Sequence, residues 1–368
     1  VSIIQSDGEI QYDGLFDRYF KYSEDIYKNL YNLRDIITKN RKSNFNNVLL
    51  ESLSQEFGDL EKKITLFHAD IVNKVLKETN LSVDLIGFHG QTIFHDPKNK
   101  ITKQLGDGQL LSQLTKKPVV YDFRQNDLKN GGQGAPLTPI FHNVIANKIN
   151  KKFNLGFPIN ILNVGGIANI TATVDWKNLW QVDKIYAHDI GPGNCLIDEW
   201  IRKNSKEKFD KEGLIARSGK IDKLILNQAL ENFNIIPNYK KSLDVKDFDI
   251  FFAKGLSLEN GAATITNFTA KLIADGMNYS HVKGQPSMYK WLVCGGGRKN
   301  KYLLESIKNN FSKIKLDLID EYEIDGDFIE SQAFAFLAIR SLKGMDISFP
   351  STTRCKESIS GGIISENF

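Results

Sequence analysis

The stretch His188-Asp189-Ile190-Gly191-Pro192-Gly193-Asn194 decides how the fold of this chain is predicted. The apolar residues 185–187 before it are typical of a strand, and residues 195–200 after it are typical of a helix. Glycines let a ligand approach the backbone closely, and a helix start offers free N–H groups to anions. We therefore predict that Asp189 faces a polar ligand beside a phosphate. For this stretch alone, a strand–turn–helix corner with Asp189 as a turn residue stays open.

The composition indicates a globular protein with no dedicated nucleic-acid surface. The chain has 368 residues, a length that suits two domains. Its 48 basic and 44 acidic residues nearly balance, at a net charge of +4, which argues against nucleic acid as a partner.

The cysteines, histidines and apolar runs of the sequence argue against a disulfide-bonded, a metal-binding and a membrane-spanning protein. The three cysteines are far apart and form no C-x-x-C pair, so we expect a reducing, cytoplasmic location. The six histidines have no metal-ligand spacing, so we expect no protein-bound metal site. No apolar run is long enough to span a membrane, and we see neither the basic nor the apolar part of a signal peptide.

Two further glycine turns lie in the second half of the chain. Gly165-Gly166 separates two β-type runs and predicts a hairpin whose backbone amides can wrap a phosphate, although a purely structural hairpin is the commoner outcome. Gly295-Gly296-Gly297 joins a buried-type strand to a helix, which is a nucleotide-binding arrangement. It is not a G-x-G-x-x-G sequence, so a dinucleotide fingerprint is not supported.

Polar side chains follow two predicted strands in the first half. The stretch His89-Gly90-Gln91-Thr92 can bind sugar hydroxyls or amides, or it can satisfy nearby backbone. Asp122 and Arg124, two apart on a strand, should share a face, where the arginine could bind an anion or pair with the aspartate. Glu330 opens a helix, where a carboxylate is favourable in any case.

A glycine- and proline-rich stretch divides the chain into two α/β halves. Residues 131–139 (GGQGAPLTP) are typical of a hinge. We predict a first domain over residues 1–139 and a second over 140–368, with the tail returning to the first. Glycine turns at strand ends in both halves, with a hinge between them, indicate a cleft enzyme that acts on a phosphorylated ligand.

Several motifs give the chain a resemblance to a known family, the anhydro-N-acetylmuramic acid kinases. Besides the opening stretch, the motifs are His89-Gly90-Gln91-Thr92, Gly132-Gln133-Gly134-Ala135-Pro136-Leu137, Asn163-Val164-Gly165-Gly166-Ile167-Ala168-Asn169 and Val293-Cys294-Gly295-Gly296-Gly297. The resemblance implies two RNase H-like domains of the actin, Hsp70 and hexokinase-like superfamily. It also implies a reaction in which ATP, water and 1,6-anhydro-N-acetylmuramic acid give the 6-phosphate sugar and ADP, with Mg²⁺, in the recycling of cell-wall fragments.

The resemblance also implies site residues. Asp189 matches the catalytic aspartate, the general base toward water, and Glu330 matches a glutamate near that water. The sugar side would comprise His89, Gln91, Asp122 and Arg124. The nucleotide side would comprise Gly165, Gly166, Asn169, Gly191, Gly193, Asn194, Gly295, Gly296, Gly297 and Asn300.

One part of the family pattern is absent from this sequence. The family begins with a phosphate loop, M-S-G-T-S-x-D-G, whose return strand resembles Val1-Ser2-Ile3-Ile4. We expect the chain to be a fragment of a longer protein; otherwise it lacks one phosphate clamp. The alternatives to the family's reaction are a kinase for another sugar or a carboxylic acid, and a non-catalytic binding relative. The expected partners are the sugar and ATP, with no nucleic acid or membrane, and a homodimer is left open.

Overall fold

The computed structural model describes residues 1–40, 54–175, 185–233, 243–279, 290–311 and 314–368. They form two compact units, one of residues 1–141 with 330–368 and one of residues 142–329. Both contain strands and helices, so the chain has the mixed α/β architecture that the sequence predicts. No helix within the described ranges is long and apolar enough to cross a membrane.

The described elements are numbered here in chain order. The strands are β1 (Ser2–Ser6), β2 (Tyr12–Asp17), β3 (Ile86–Phe88), β4 (Gln91–Asp96), β5 (Ile101–Leu105), β6 (Val119–Tyr121), β7 (Ile159–Val164), β8 (Ile167–Ala172), β9 (Tyr186–Pro192), β10 (Lys290–Cys294), β11 (Lys315–Leu318) and β12 (Ile363–Ser365). The α-helices are α1 (Glu24–Asn40), α2 (Ser54–Thr79), α3 (Gly108–Thr115), α4 (Gln125–Lys129), α5 (Pro139–Phe153), α6 (Cys195–Asn204), α7 (Leu214–Ser218), α8 (Lys223–Asn232), α9 (Leu258–Tyr279), α10 (Lys301–Asn310) and α11 (Ile329–Leu342).

A five-stranded mixed sheet forms the centre of residues 142–329, in the order β11-β10-β7-β8-β9. Strand β8 runs antiparallel to both β7 and β9, whereas β10 runs parallel to β7 and β11 parallel to β10. The apolar runs of β7 and β10 are almost wholly buried, as expected for strands covered on both faces. This sheet places the Gly165-Gly166 turn, the end of β9 and the Gly295 turn at one edge.

Small residues on α9 let this helix pack tightly. A Cβ at Gly276 would lie 2.4 Å from the Ile190 Cβ, and one at Gly261 would lie 2.0 Å from the Trp200 ring. Because α9 approaches both β9 and α6 at these points, the strand that carries Asp189 is held from behind by packed core.

The unit of residues 1–141 and 330–368 is built on a three-stranded sheet, β12-β6-β3, with two hairpins, β1–β2 and β4–β5. Strand β3 is parallel to β6, and β12 is antiparallel to it. Helix α11 approaches β3 at Gly87, where a Cβ would lie 2.4 Å from the Phe334 carbonyl oxygen. The strand end that carries His89 therefore rests directly on α11.

Two local predictions are wrong. Strand β9 continues through Gly191 and Pro192, with an extended φ of 159° at Gly191, so the predicted Gly-Pro-Gly turn is confined to Gly193 and Asn194. Strand β6 ends at Tyr121; Asp122 then has a φ of +54°, and Arg124 immediately precedes α4. The aspartate and the arginine therefore do not share the face of one strand.

The Gly87 contact generates a stability prediction. We expect Gly87→Ala to lower the free energy of unfolding by about 1–3 kcal/mol, because the new methyl group meets backbone that cannot move aside. A Cβ at Gly58, inside α2, would by contrast meet no described atom within 4 Å. Gly58→Ala should therefore raise stability by up to about 1 kcal/mol. Thermal unfolding of the two variants checks this, and equal effects would contradict the packing described.

Candidate functional site

The start of α6 is bonded to the tip of the β7–β8 hairpin. The N–H groups of Gly193 and Cys195 donate to the Gly166 carbonyl at 2.9 and 3.2 Å. The Asn194 N–H donates to the Gly165 carbonyl at 2.8 Å. A Cβ at Gly193 would lie 2.2 Å from the Gly165 carbonyl oxygen, so only glycine fits there. The N–H groups of Gly193, Asn194 and Cys195 are thus occupied and are not free for an anion, contrary to what the sequence predicted for this helix start.

The Gly295–Gly297 loop lies against the same hairpin. A Cβ at Gly295, whose φ is +77°, would lie 2.4 Å from Asn163 Oδ1. One at Gly297 would lie 2.2 Å from Val164 Cγ1. The three predicted glycine turns of residues 142–329 therefore meet at one place, where close backbone approach favours glycine. The exposed members of the group are Gly166 and Gly296.

A buried arginine fixes the loop that follows β10. The Arg298 guanidinium donates to both carboxylate oxygens of Asp320 at 2.7 and 2.9 Å and to Asp327 at 2.7 Å. Burial opposes the charge of Arg298, but these carboxylates prevail and raise its pKa above the ordinary value. No sequence pattern predicted these ion pairs, because their partners come together only in the folded chain. Asn300 has a structural task beside them, because its Oδ1 caps α10 by accepting from the Leu303 N–H at 2.9 Å.

Three polar side chains form a row across the middle of the sheet. Asn163 of β7 is paired with Asn169 of β8, which in turn is paired with Asp189 of β9. Directly opposite residues of antiparallel strands point to the same face. The row therefore joins Asp189 to the hairpin tip and to Gly295. Asn163 was missed in the sequence, although it and Asn169 stand on either side of the Gly165-Gly166 turn.

The carboxylate of Asp189 is held and tuned by its surroundings. Its Oδ2 accepts from the Leu243 backbone N–H at 2.8 Å. Burial raises the pKa of Asp189 to about 6; the Leu243 hydrogen bond lowers it, and the charge of Asp247 raises it further. A carboxylate with a pKa near the ambient pH suits general base catalysis.

The predicted sugar side lies in the other unit, where Arg124 holds His89. The Arg124 Nε–H donates to His89 Nε2 at 3.0 Å, and its Nη1–H donates to the Gly134 carbonyl at 2.7 Å. The His89 ring lies 4.2 Å from the Phe334 ring, centroid to centroid. The structure thus brings together two predicted residues and the glycine-rich stretch of residues 131–139.

These contacts define the protonation state of His89. Because Nε2 accepts from Arg124, the ring proton is on Nδ1, which donates to the Gly90 carbonyl at 3.0 Å. Burial, reinforced by the charge of Arg124, lowers the pKa of His89 to about 3. His89 is therefore a neutral group of fixed orientation.

The other predicted residues of this unit are less closely grouped. Gln91 donates from Nε2 to the Tyr22 hydroxyl at 3.1 Å. The pKa of Asp122 is raised, chiefly by burial, and this carboxylate forms no ion pair with Arg124. Glu330 is exposed at the start of α11, and its charge stabilises the Arg124 cation.

No metal cage is found among the described residues, where no three His, Cys, Asp or Glu side chains are grouped for an ion. Mg²⁺ usually binds proteins through one or two carboxylates, with substrate phosphates and water completing its shell. The amide oxygens of Asn163 and Asn169, in one row beside Asp189, are ligands of the kind that such an ion accepts.

Comparison with known proteins gives a consistent set of matches. The family model described as anhydro-N-acetylmuramic acid kinase matches residues 31–367. A curated relative of that name from Pelagibacter ubique is 49% identical over 100% of this chain and 94% of its own length. One from Rhodospirillum rubrum is 36% identical over 83% of this chain and 78% of its own.

Among solved structures, the activator of the 2-hydroxyisocaproyl-CoA dehydratase from Clostridium difficile, with bound ADPNP, matches 55% of this chain and 66% of its own. The TM-score is 0.33 at 13% sequence identity, a likeness too low to support an argument.

The buried state of His89 can be tested by nuclear magnetic resonance. We expect its imidazole to stay neutral, with the proton on Nδ1, from pH 8 down to pH 5, because its pKa lies near 3. The ¹⁵N shifts of the ring measure this directly. Arg124→Gln should move the His89 midpoint upward, because it removes the adjacent cation. A midpoint near 6.5 in the unaltered protein would contradict the geometry.

Proposed function

The chain belongs to the anhydro-N-acetylmuramic acid kinase family, and we propose that it phosphorylates 1,6-anhydro-N-acetylmuramic acid at the expense of ATP, with the addition of water. The products are N-acetylmuramic acid 6-phosphate and ADP, and the physiological setting is the recycling of cell-wall peptidoglycan. The observation that carries this proposal is the position of Asp189, a carboxylate with a pKa near 6 in a row of polar side chains beside two glycine turns.

Asp189 acts as the general base. Its carboxylate takes a proton from water as that water attacks the anomeric carbon, and the bond from this carbon to the bridging oxygen breaks. The freed oxygen stays on C6 and accepts the γ-phosphoryl group of ATP. The Leu243 N–H supports this role because it orients the carboxylate from one side and leaves the other oxygen for water.

We also assign roles to Glu330 and to the neutral His89, which belong to the unit of residues 1–141 and 330–368. Glu330 is exposed at a helix start, and its carboxylate is available to accept a hydrogen bond from water. His89, whose two ring nitrogens are bonded to Arg124 and Gly90, shapes the sugar side, and Gln91 contributes its amide. Asp122 completes the sugar side.

The glycine turns of residues 142–329 form the nucleotide side. The exposed backbone at Gly166 and Gly296 approaches the phosphates, since neither residue carries a side chain to block them. Gly165, Gly191, Gly193, Asn194, Gly295 and Gly297 shape this surface, and Asn169 and Asn300 complete its polar edge. Asn163 and Asn169 would hold Mg²⁺ beside the phosphates, where the ion would supply positive charge for the transferring phosphoryl group.

The two compact units correspond to the two domains of this enzyme class. The mixed sheet of residues 142–329, three antiparallel strands continued by two parallel ones, supports an RNase H-like nucleotide domain. The sugar domain comprises the first 141 residues together with the tail. We place the protein in the cytoplasm, and a homodimer is compatible with this assignment.

The role of Asp189 predicts a specific pH dependence. The base must be deprotonated, so kcat/KM should rise with pH through a midpoint near 6 and level off above it. Asp189→Asn should lower kcat by about 10²–10⁴-fold without loss of sugar binding. An ADP-release assay with the anhydro sugar measures turnover, and calorimetry with the sugar alone measures binding.

Asp198→Asn is the matched control. Burial also raises the pKa of Asp198 to about 6, so this carboxylate titrates in the same range. It lies one turn into α6, away from the row that contains Asp189. The control should keep both turnover and the pH midpoint. If Asp198→Asn removes the midpoint while Asp189→Asn keeps it, the general-base assignment is wrong.

The hairpin tip can be tested without disturbing the fold. A Cβ at Gly166 would meet no described atom within 4 Å, so Gly166→Ala should leave the melting temperature unchanged. We expect the KM for ATP to rise about tenfold, because the methyl group intrudes where the phosphates approach. The KM for the sugar should not change. An unaltered KM for ATP would show that the phosphates lie elsewhere.

A further inference from the structure

Arg34 is a cation without a described counter-ion beside the predicted sugar side. It lies on α1, and its Nη2–H donates to the Thr92 carbonyl at 2.8 Å and, at a long 3.5 Å, to Gln91 Oε1. Across residues 1–40 and 54–175 no carboxylate forms an ion pair with it, and no side chain or carbonyl there accepts from its Nε or Nη1. Those N–H groups are therefore available to a ligand.

The groups around Arg34 are neutral. Gln91 donates to the Tyr22 hydroxyl at 3.1 Å, and burial raises the pKa of Tyr22 to about 12, so the phenol stays protonated. Burial also lowers the pKa of the Arg34 guanidinium, which remains charged at any ordinary pH. The Arg34 side chain is exposed, so an anion can approach this cation from solvent.

The same face of α1 presents an exposed aromatic ring. Tyr31 stands one helical turn before Arg34, and its side chain is 59% exposed. An exposed ring next to a guanidinium, with the Gln91 amide behind them, is a surface suited to a sugar that carries an acid substituent. Lys63, a cation of the same unit, is by contrast already paired with Asp25.

We propose that Arg34 binds the carboxylate of the substrate through the second Nη2–H, whose contact with Gln91 is long, and through the Nε–H or Nη1–H that lies parallel to it. In 1,6-anhydro-N-acetylmuramic acid this carboxylate belongs to the lactyl group on O3, which N-acetylglucosamine derivatives lack. A guanidinium matches a carboxylate with two parallel hydrogen bonds. Arg34 is then the residue that makes the enzyme specific for a muramic acid. The proposal rests on the proposed function, since it concerns the same sugar site.

The test compares two sugars that differ in the carboxylate. Calorimetry measures the Kd of 1,6-anhydro-N-acetylmuramic acid and of 1,6-anhydro-N-acetylglucosamine for the unaltered protein and for Arg34→Gln. The glutamine keeps an N–H donor for the Thr92 carbonyl and removes the charge. We expect its Kd for the muramic acid to rise by about tenfold or more, with the Kd for the glucosamine sugar within about twofold of the original.

Two further variants distinguish the charge of Arg34 from the geometry of its guanidinium and control for the loss of an arginine elsewhere. Arg34→Lys keeps the charge without the two-pronged geometry, so its Kd for the muramic acid should fall between those of the other two proteins. Arg217→Gln removes an arginine of the other unit that pairs with Glu305, and it should change neither Kd.

The outcomes are distinct. An equal rise in both Kd values would mean that Arg34 only stabilises the contact between α1 and β4. No rise in the Kd for the muramic acid would exclude a contact between Arg34 and the carboxylate. Either result overturns the proposal. If the unaltered protein binds the muramic acid through Arg34 but shows no ADP release with it, the proposed function fails while this inference stands.

Discussion

The bonding of Gly193, Asn194 and Cys195 to the carbonyls of Gly165 and Gly166 is the constraint on which the second unit depends. It uses the first amides of α6 to hold the hairpin tip, and it leaves no room for a Cβ at Gly193. Because the Gly295–Gly297 loop packs on the same hairpin and Arg298 anchors that loop to Asp320 and Asp327, all three turns are fixed relative to each other. The surface that we propose for the phosphates is therefore preorganised and needs little rearrangement on binding.

The electrostatic character of Asp189 follows from the same arrangement. Its strand is backed by α9, which approaches closely at Gly276, and the carboxylate itself is largely removed from solvent. Burial destabilises the anion, while one backbone N–H from Leu243 prevents it from becoming a permanently protonated acid. These opposing effects give Asp189 a pKa near 6. A carboxylate with such a pKa is mostly deprotonated at neutral pH and still accepts a proton readily. Burial also favours the neutral form of His89, where it lowers the pKa with the support of the Arg124 cation.

The sequence was sufficient for the features that depend on local pattern. The hairpin at Gly165-Gly166 and the strand before Gly295 follow from apolar periodicity and glycine placement. The sequence did not predict the local structure where tertiary packing determines it. The strand through Pro192 is extended by pairing with β8, and Asp122 leaves its strand at a positive φ, neither of which a local pattern reveals. The contacts of Arg298 with Asp320 and of Arg124 with His89 join residues that are 22 and 35 positions apart.

The measurement that tests the role of Asp189 most directly is the fate of solvent oxygen. Turnover of 1,6-anhydro-N-acetylmuramic acid with ATP in H₂¹⁸O, quenched rapidly and analysed by mass spectrometry, shows which atom the water oxygen attacks. We predict one ¹⁸O at the anomeric carbon of the sugar phosphate and none in its phosphoryl group. Label in released inorganic phosphate, with the sugar unchanged, would contradict this role, because water would then attack phosphorus and not the anhydro bridge.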